Sequence, residues 1–174
     1  YRFSVEWSRI QPEKDSWNEE AVEVYSEMVD DLLKRGIKPV VTLHHFTHPI
    51  WFEELGGFSQ KENIPFWVDY CERLFDALGD RVKDWCTVNE PEVFSIMGYH
   101  MKMFPPGQRS VFKTIKVMRN MVDAHSQVYH RLKSKSPEIR VGLAKNVTLF
   151  DPLSRWNILH WITSIVLEYI WNGA

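Results

Sequence analysis

Two cysteines, Cys71 and Cys86, are too few for a disulfide framework. Both sit among apolar neighbours, where a reduced thiol serves as a small hydrophobe. The chain also lacks a charge surplus: 21 Lys and Arg stand against 23 Asp and Glu, a net charge of −2. With nothing to neutralise a phosphate backbone, nucleic acid is not expected as a partner. No apolar run approaches the roughly 18 residues that a membrane helix needs, so no membrane is expected either. From Tyr1 onward no charged segment leads into an apolar stretch, so no signal peptide is expected, and the compartment stays open with a cytoplasmic lean. Repeats, low-complexity tracts and linkers are missing too, which predicts one domain across residues 1–174 and no second. No glycine-rich phosphate loop follows any candidate strand, and no cofactor is implied.

What the sequence has in excess is aromatic surface, 14% of residues with 8 Trp. Rings of this size build cores first, and they also offer flat apolar faces to sugars. Along the chain, short β-prone runs alternate with amphipathic helices. Tyr1–Val5 reads as a strand. Asn18 is placed as an N-cap, Glu19 and Glu20 complement the helix dipole, and Ala21, Tyr25, Met28, Val29, Leu32 and Leu33 recur at helical spacing. Lys34, Arg35 and Gly36 close that helix. Val40–Leu43 is an apolar, β-branched run ending in His44 and His45, the pattern of a strand buried on both faces. Ser59 and Glu62 have capping-box spacing ahead of a stripe from Trp67 to Leu78, with Gly79 as the stop. Val82–Val88 predicts a further strand, running into Asn89-Glu90-Pro91. Ile115, Met118, Val122, His125, Tyr129 and Leu132 mark one helical face ended by Pro137. Val141–Leu143 reads as a fourth strand, and Trp156–Trp171 as an apolar helix.

Strands alternating with helices predict right-handed βα units and a parallel sheet, an α/β fold. Polar residues collect just after the strands (Trp7 and Arg9, His45, then Asn89 and Glu90), as at the reactive rim of a (β/α)₈ barrel. Four strands cannot close such a barrel, and an open half exposes edges and an apolar interior. The expectation is therefore a partial TIM barrel, a fragment of about four of the eight units.

Glu90 is the foremost candidate for chemistry, a carboxyl at a strand end, braced by Pro91 and beside Asn89. Glycoside hydrolysis needs a carboxylic acid on the leaving oxygen and a second carboxylate across the sugar ring. The string Trp85-Cys86-Thr87-Val88-Asn89-Glu90-Pro91 resembles the acid/base signature of glycoside hydrolase family 1, the β-glucosidase family. Tyr1-Arg2-Phe3-Ser4-Val5-Glu6-Trp7-Ser8-Arg9-Ile10 is similar to that family's second barrel strand. Thr42-Leu43-His44-His45-Phe46, followed by Pro49, is similar to its third, and Gly79-Asp80-Arg81-Val82 precedes the fourth as it does there. The resemblance is strong to about residue 110 and weakens beyond Leu143. It implies a barrel segment covering about strands 2 to 5 and a retaining β-glycosidase acting on small saccharides or β-glycosides. It further implies Glu90 as general acid/base, Asn89 on the sugar 2-hydroxyl, His45 on another hydroxyl of the sugar in the −1 subsite, and Arg2 beneath it, orienting the nucleophilic carboxylate. Phe46 replaces the Trp common in the family, which removes an indole N–H donor to the sugar.

The family's nucleophile motif does not occur in residues 1–174, so the isolated chain is expected to be inactive. A carbohydrate-binding pseudoenzyme and a 6-phospho-β-glycosidase are the alternatives, and oligomeric state is not legible. Other residues have plainer readings: Glu6 as loop support, Glu92 as rim or structural, and Asp151 before Pro152 as a turn. His44, His45 and His48 sit at a strand end and not on a helix, where His at four-residue spacing builds zinc sites, and no Cys accompanies them, so contact with sugar or packing is preferred to metal. His125 lies on an apolar stripe, the setting of a core histidine. Asn146-Val147-Thr148 is a glycosylation sequon only in a secreted chain.

Overall fold

The computed structural model describes residues 1–172, apart from the side chain of Ile170. Four parallel strands, β1 (Arg2–Ser4), β2 (Val40–His44), β3 (Asp84–Asn89) and β4 (Arg140–Ala144), lie side by side in chain order. Among the described residues seven α-helices accompany them: α1 (Trp7–Ile10), α2 (Glu19–Lys34), α3 (Ile50–Glu54), α4 (Ile64–Leu78), α5 (Pro91–Tyr99), α6 (Val111–Lys135) and α7 (Ile158–Asn172). The described residues divide into two units, Tyr1–Ala144 and the segment from Lys145 onward. None of these helices is long and apolar enough to cross a membrane.

In the first unit α2, α4 and α6 are the crossovers that parallel pairing demands. Asn18 caps α2 by accepting from the Ala21 N–H at 3.0 Å, a contact worth about 1 kcal/mol. At its other end Gly36 has φ +71°, and the N–H groups of Gly36 and Ile37 bond back to Leu33 and Leu32. That is a Schellman stop, and it needs a residue that adopts the left-handed region freely. Neighbouring helices are tied across their outer faces, Arg73 to Glu19 and Arg131 to Glu72.

Odd-numbered strand residues face the helices. Phe3 stacks on Tyr25 of α2, Trp85 meets Phe75 of α4, and Thr87 bonds His125 of α6 at 2.7 Å. Trp7 is buried among Trp51, Phe52, Trp67 and Tyr70, so the aromatic excess is largely core. Trp7 therefore leaves the strand-end rim, contrary to the sequence reading: α1 turns it inward, while Arg9 is exposed.

Two other expectations shift. Helix α4 begins at Ile64, after two short 3₁₀ turns, with Pro65 in its first turn. Ser59 does not cap it: the Ser59 hydroxyl donates to the Gly56 carbonyl instead. Gly79 does end α4, though not by a left-handed turn. A Cβ there would stand 2.6 Å from the Phe75 carbonyl oxygen. Along α6 the buried face is Thr114, Val117, Asn120, Met121, Ala124, Val128 and Leu132, while Ile115 and Val122 are exposed. The second unit holds α7, whose C-terminal end is joined to its own leading segment by Asn172, the side chain of which donates to the Thr148 carbonyl at 2.7 Å.

Candidate active site

Arg2, Thr42 and Cys86 lie on the sheet face turned away from the helices and form its polar centre, whereas His44 at the end of β2 packs against Trp67 of α4 and Phe94 of α5. Arg2 lies across three strands. Its Nε donates to Thr42 Oγ1 at 2.8 Å, and one terminal nitrogen reaches Cys86 Sγ at 3.5 Å and Asn89 Oδ1 at 2.5 Å.

Cys86 and Asn89 are three residues apart, so a regular strand would place them on opposite faces. The register explains why they are not. Cys86 pairs with Gly142 and Asn89 with Ala144, so β3 carries one residue more than β4 over this stretch. That bulge swings Asn89 onto the face of Arg2, at the C-terminal end of β3. Asn89 is buried. Its carbonyl oxygen is engaged by Arg2, which leaves the amide N–H groups as the donors of this side chain.

Glu90 follows with φ +46° and ψ +65°, and its N–H bonds the Ala144 carbonyl at 2.7 Å. A glutamate in the left-handed region costs about 1–2 kcal/mol. Two constraints hold it there: the closing bond to β4, and Pro91, which starts α5 with a φ suited to a first helical turn. Glu90 is half-buried.

The turn after β2 has a second strained residue. Phe46 has φ +72°, and its ring packs between His45, centroids 5.0 Å apart, and Phe104, 5.5 Å apart. His45 is exposed at the strand end. Of the residues singled out in sequence, Arg2 and Asn89 are thus in direct contact, Glu90 adjoins Asn89, and His45 with Phe46 occupies the end of the strand between β1 and β3. Glu6 caps α1 by accepting from Ser8 and also accepts from Thr47 Oγ1 at 2.7 Å, so loop support is its role.

His44 is enclosed by Phe58, Trp67 and Phe94, each edge-on. Burial first, then His48 and His45, hold its imidazole well below the usual histidine range. His125 is likewise lowered by burial. Sequence reasoning missed Thr42 and Cys86 as supports of Arg2, and Glu53 as the partner of His48. A threonine inside an otherwise apolar strand was the one signal for the first; nothing in the sequence marks Glu53.

The glycosyl hydrolase family 1 model matches residues 1–160. Among curated proteins, beta-glucosidase A of Thermotoga maritima is 33% identical over 88% of this chain and 35% of its own length. A 6-phospho-beta-galactosidase of Clostridium acetobutylicum is 35% identical over 82% of this chain and 30% of its own. The chain thus spans about a third of the length of these relatives. Among solved structures, a beta-glycosidase from Pyrococcus horikoshii superposes with a TM-score of 0.92 at 41% identity, covering 99% of this chain and 40% of that one. A Thermotoga maritima beta-glucosidase in complex with deoxynojirimycin does so at 0.90 and 31%, covering 99% and 38%. The parallel sheet with its helices is a segment of a (β/α)₈ barrel, and the chain belongs to glycosyl hydrolase family 1.

Proposed function

We propose that this chain supplies the acid/base half of the site of a retaining β-glycosidase, as part of a single barrel domain whose nucleophile lies outside residues 1–174. Glu90 then serves as general acid in the first step and as base in the second. When the glycosidic bond breaks, the leaving oxygen gains charge and takes the Glu90 proton, while the anomeric carbon, oxocarbenium-like, is captured by the second carboxylate about 5–5.5 Å away. Glu90, now ionised, accepts a proton from the water that releases the sugar.

Asn89 donates its amide N–H to the sugar 2-hydroxyl, a bond that strengthens in the transition state. His45 bonds another hydroxyl of the same ring, and Phe46 forms an apolar wall. Arg2 lies beneath the subsite and orients the incoming carboxylate. The observation that carries this reading is the Arg2–Asn89 bond, which joins the floor of the polar face to the strand end bearing Glu90. The relative solved with deoxynojirimycin supports a saccharide as the ligand class. The similarity to a 6-phospho-beta-galactosidase keeps a phosphorylated glycoside as a second reading of the substrate.

Leaving-group dependence in the full-length protein tests the assignment. Glu90→Gln should depress hydrolysis of natural disaccharides, whose leaving alcohols need a proton, far more than hydrolysis of activated aryl glycosides. Equal losses for both substrates would overturn the role given to Glu90.

A further inference from the structure

The turn that carries His45 and Phe46 is bracketed by two histidines, His44 before it and His48 after it, and these touch. His44 Nε2 and His48 Nδ1 are 3.5 Å apart, with the rings near-parallel at 5.8 Å. His48 Nε2 in turn lies 2.9 Å from Glu53 Oε2 on α3. The His48 side chain is only 8% exposed and is packed edge-on against Phe52, Phe58 and Phe94.

Resting on the glycosidase reading above, we propose that His48 and Glu53 are positioning residues that close the strained turn and aim His45 and Phe46 at the sugar. The polarity of the chain of contacts is self-consistent. With His48 as the neutral imidazole, donation from Nε2 to Glu53 leaves its Nδ1 as an acceptor. His44 must then donate from Nε2, which leaves its Nδ1 as a bare acceptor. That nitrogen is indeed buried with no hydrogen-bond partner among the described residues. A buried acceptor left open is tolerated more readily than a buried N–H. The enclosed, neutral state of His44 fits the same arrangement.

Phe46 at φ +72° occupies a backbone region that a free loop would leave by relaxing. The residues flanking it must be fixed for that conformation to persist. On one side His44 sits in its aromatic box; on the other, His48 is held by packing and by Glu53. Thr47 is held separately by Glu6. Without Glu53 the turn keeps its packing but loses the bond that sets the His48 ring orientation. Displacements of about 1 Å in a positioned group can cost up to 100-fold in rate.

The experiment uses the full-length protein with p-nitrophenyl β-glucoside for turnover and deoxynojirimycin as a probe of the sugar subsite. Deoxynojirimycin affinity does not depend on the fraction of active enzyme. His48→Phe keeps the ring contacts and removes both nitrogens, and Glu53→Leu removes the acceptor. Each is expected to lower kcat/KM about tenfold, mostly in kcat, and to weaken deoxynojirimycin several-fold, with a melting temperature only a few degrees lower because each leaves one buried N–H without its acceptor. Glu53→Gln, whose amide oxygen accepts the same N–H and keeps the ring in place, should stay within about threefold of wild type. If His48→Phe binds deoxynojirimycin and turns over like wild type, the positioning role is wrong, whatever happens to Glu53→Leu. Glu90→Gln is the control: if it too leaves disaccharide hydrolysis intact, the glycosidase reading has failed and not only this inference.

Discussion

Removing the Arg2 guanidinium should be felt in both stability and the site, because one side chain bridges β1, β2 and β3. In Arg2→Met, Thr42 Oγ1 and Asn89 Oδ1 lose their donor. Asn89 is buried, so its carbonyl oxygen is left without compensation, a cost of about 1–3 kcal/mol. Hydrogen bonds to charged groups contribute about 1.5–3 kcal/mol. Arg2→Met should therefore lose about 2 kcal/mol. Asn89→Ala removes the same bond from the other side. A double-mutant cycle by equilibrium urea unfolding of the full-length protein should return a coupling of about 1–2 kcal/mol between the two positions. Arg2→Lys should recover little of it, since a single ammonium cannot serve Thr42 and Asn89 with the geometry of a planar fork. Additivity of the two substitutions within about 0.3–0.5 kcal/mol would refute the coupling of the polar floor to the end of β3.

Acid should destabilise the fold through two histidines. The folded-state pKa values of His44 and His125 are both lowered by burial, so this stability is complete above the ordinary histidine pKa of about 6.5 and is lost as pH falls below it. Urea midpoints should decline from about pH 7.5 toward about pH 5, and His125→Asn should flatten part of that decline; parallel profiles would exclude His125 as a contributor. Gly36→Ala, forced to φ +71° with open space around the new Cβ, should cost about 1 kcal/mol from backbone strain alone, read as a lowered urea midpoint. The 174-residue chain by itself should show no Glu90-dependent hydrolysis of aryl β-glucosides, measured against the full-length protein; turnover by the isolated chain would show that the second carboxylate is not outside it.

The elements most legible in sequence are those whose signals are local. Helix α2 carries its cap, dipole complement and Schellman glycine in consecutive residues, and it runs Glu19–Lys34 as its pattern predicts. The four strands announce themselves as short β-prone runs between helices, although β3 starts at Asp84 and not at Val82, because Val82 closes the turn after α4 by bonding Leu78. Helices α1, α3 and α5 were missed, being only 4, 5 and 9 residues long and so too short for a periodic stripe. Pro91 at the start of α5 was the available clue. The α6 stripe was displaced because its inward face uses Thr114, Asn120 and Ala124, whose small or polar side chains carry little hydrophobic signal. Asn120 is satisfied there by donating to the Phe58 carbonyl at 2.8 Å.

Within the site, the candidate residues were recognisable from motif strings alone. Their arrangement was not: it depends on a bulge defined by pairing with β4 and on two left-handed residues, Phe46 and Glu90, that local propensity disfavours. Such departures from local preference gather where function constrains the backbone.

Chemical rescue at position 90 tests the central claim most directly. In full-length Glu90→Gly, an aryl β-glucoside with a good leaving group should still glycosylate the nucleophile, but release by water should be slow without a base. Azide needs no base and enters from the face that water would use. Added azide should therefore restore turnover and yield the β-glycosyl azide, with anomeric configuration retained. Wild-type hydrolysis without azide, or an α-configured azide, would contradict Glu90 as the acid/base.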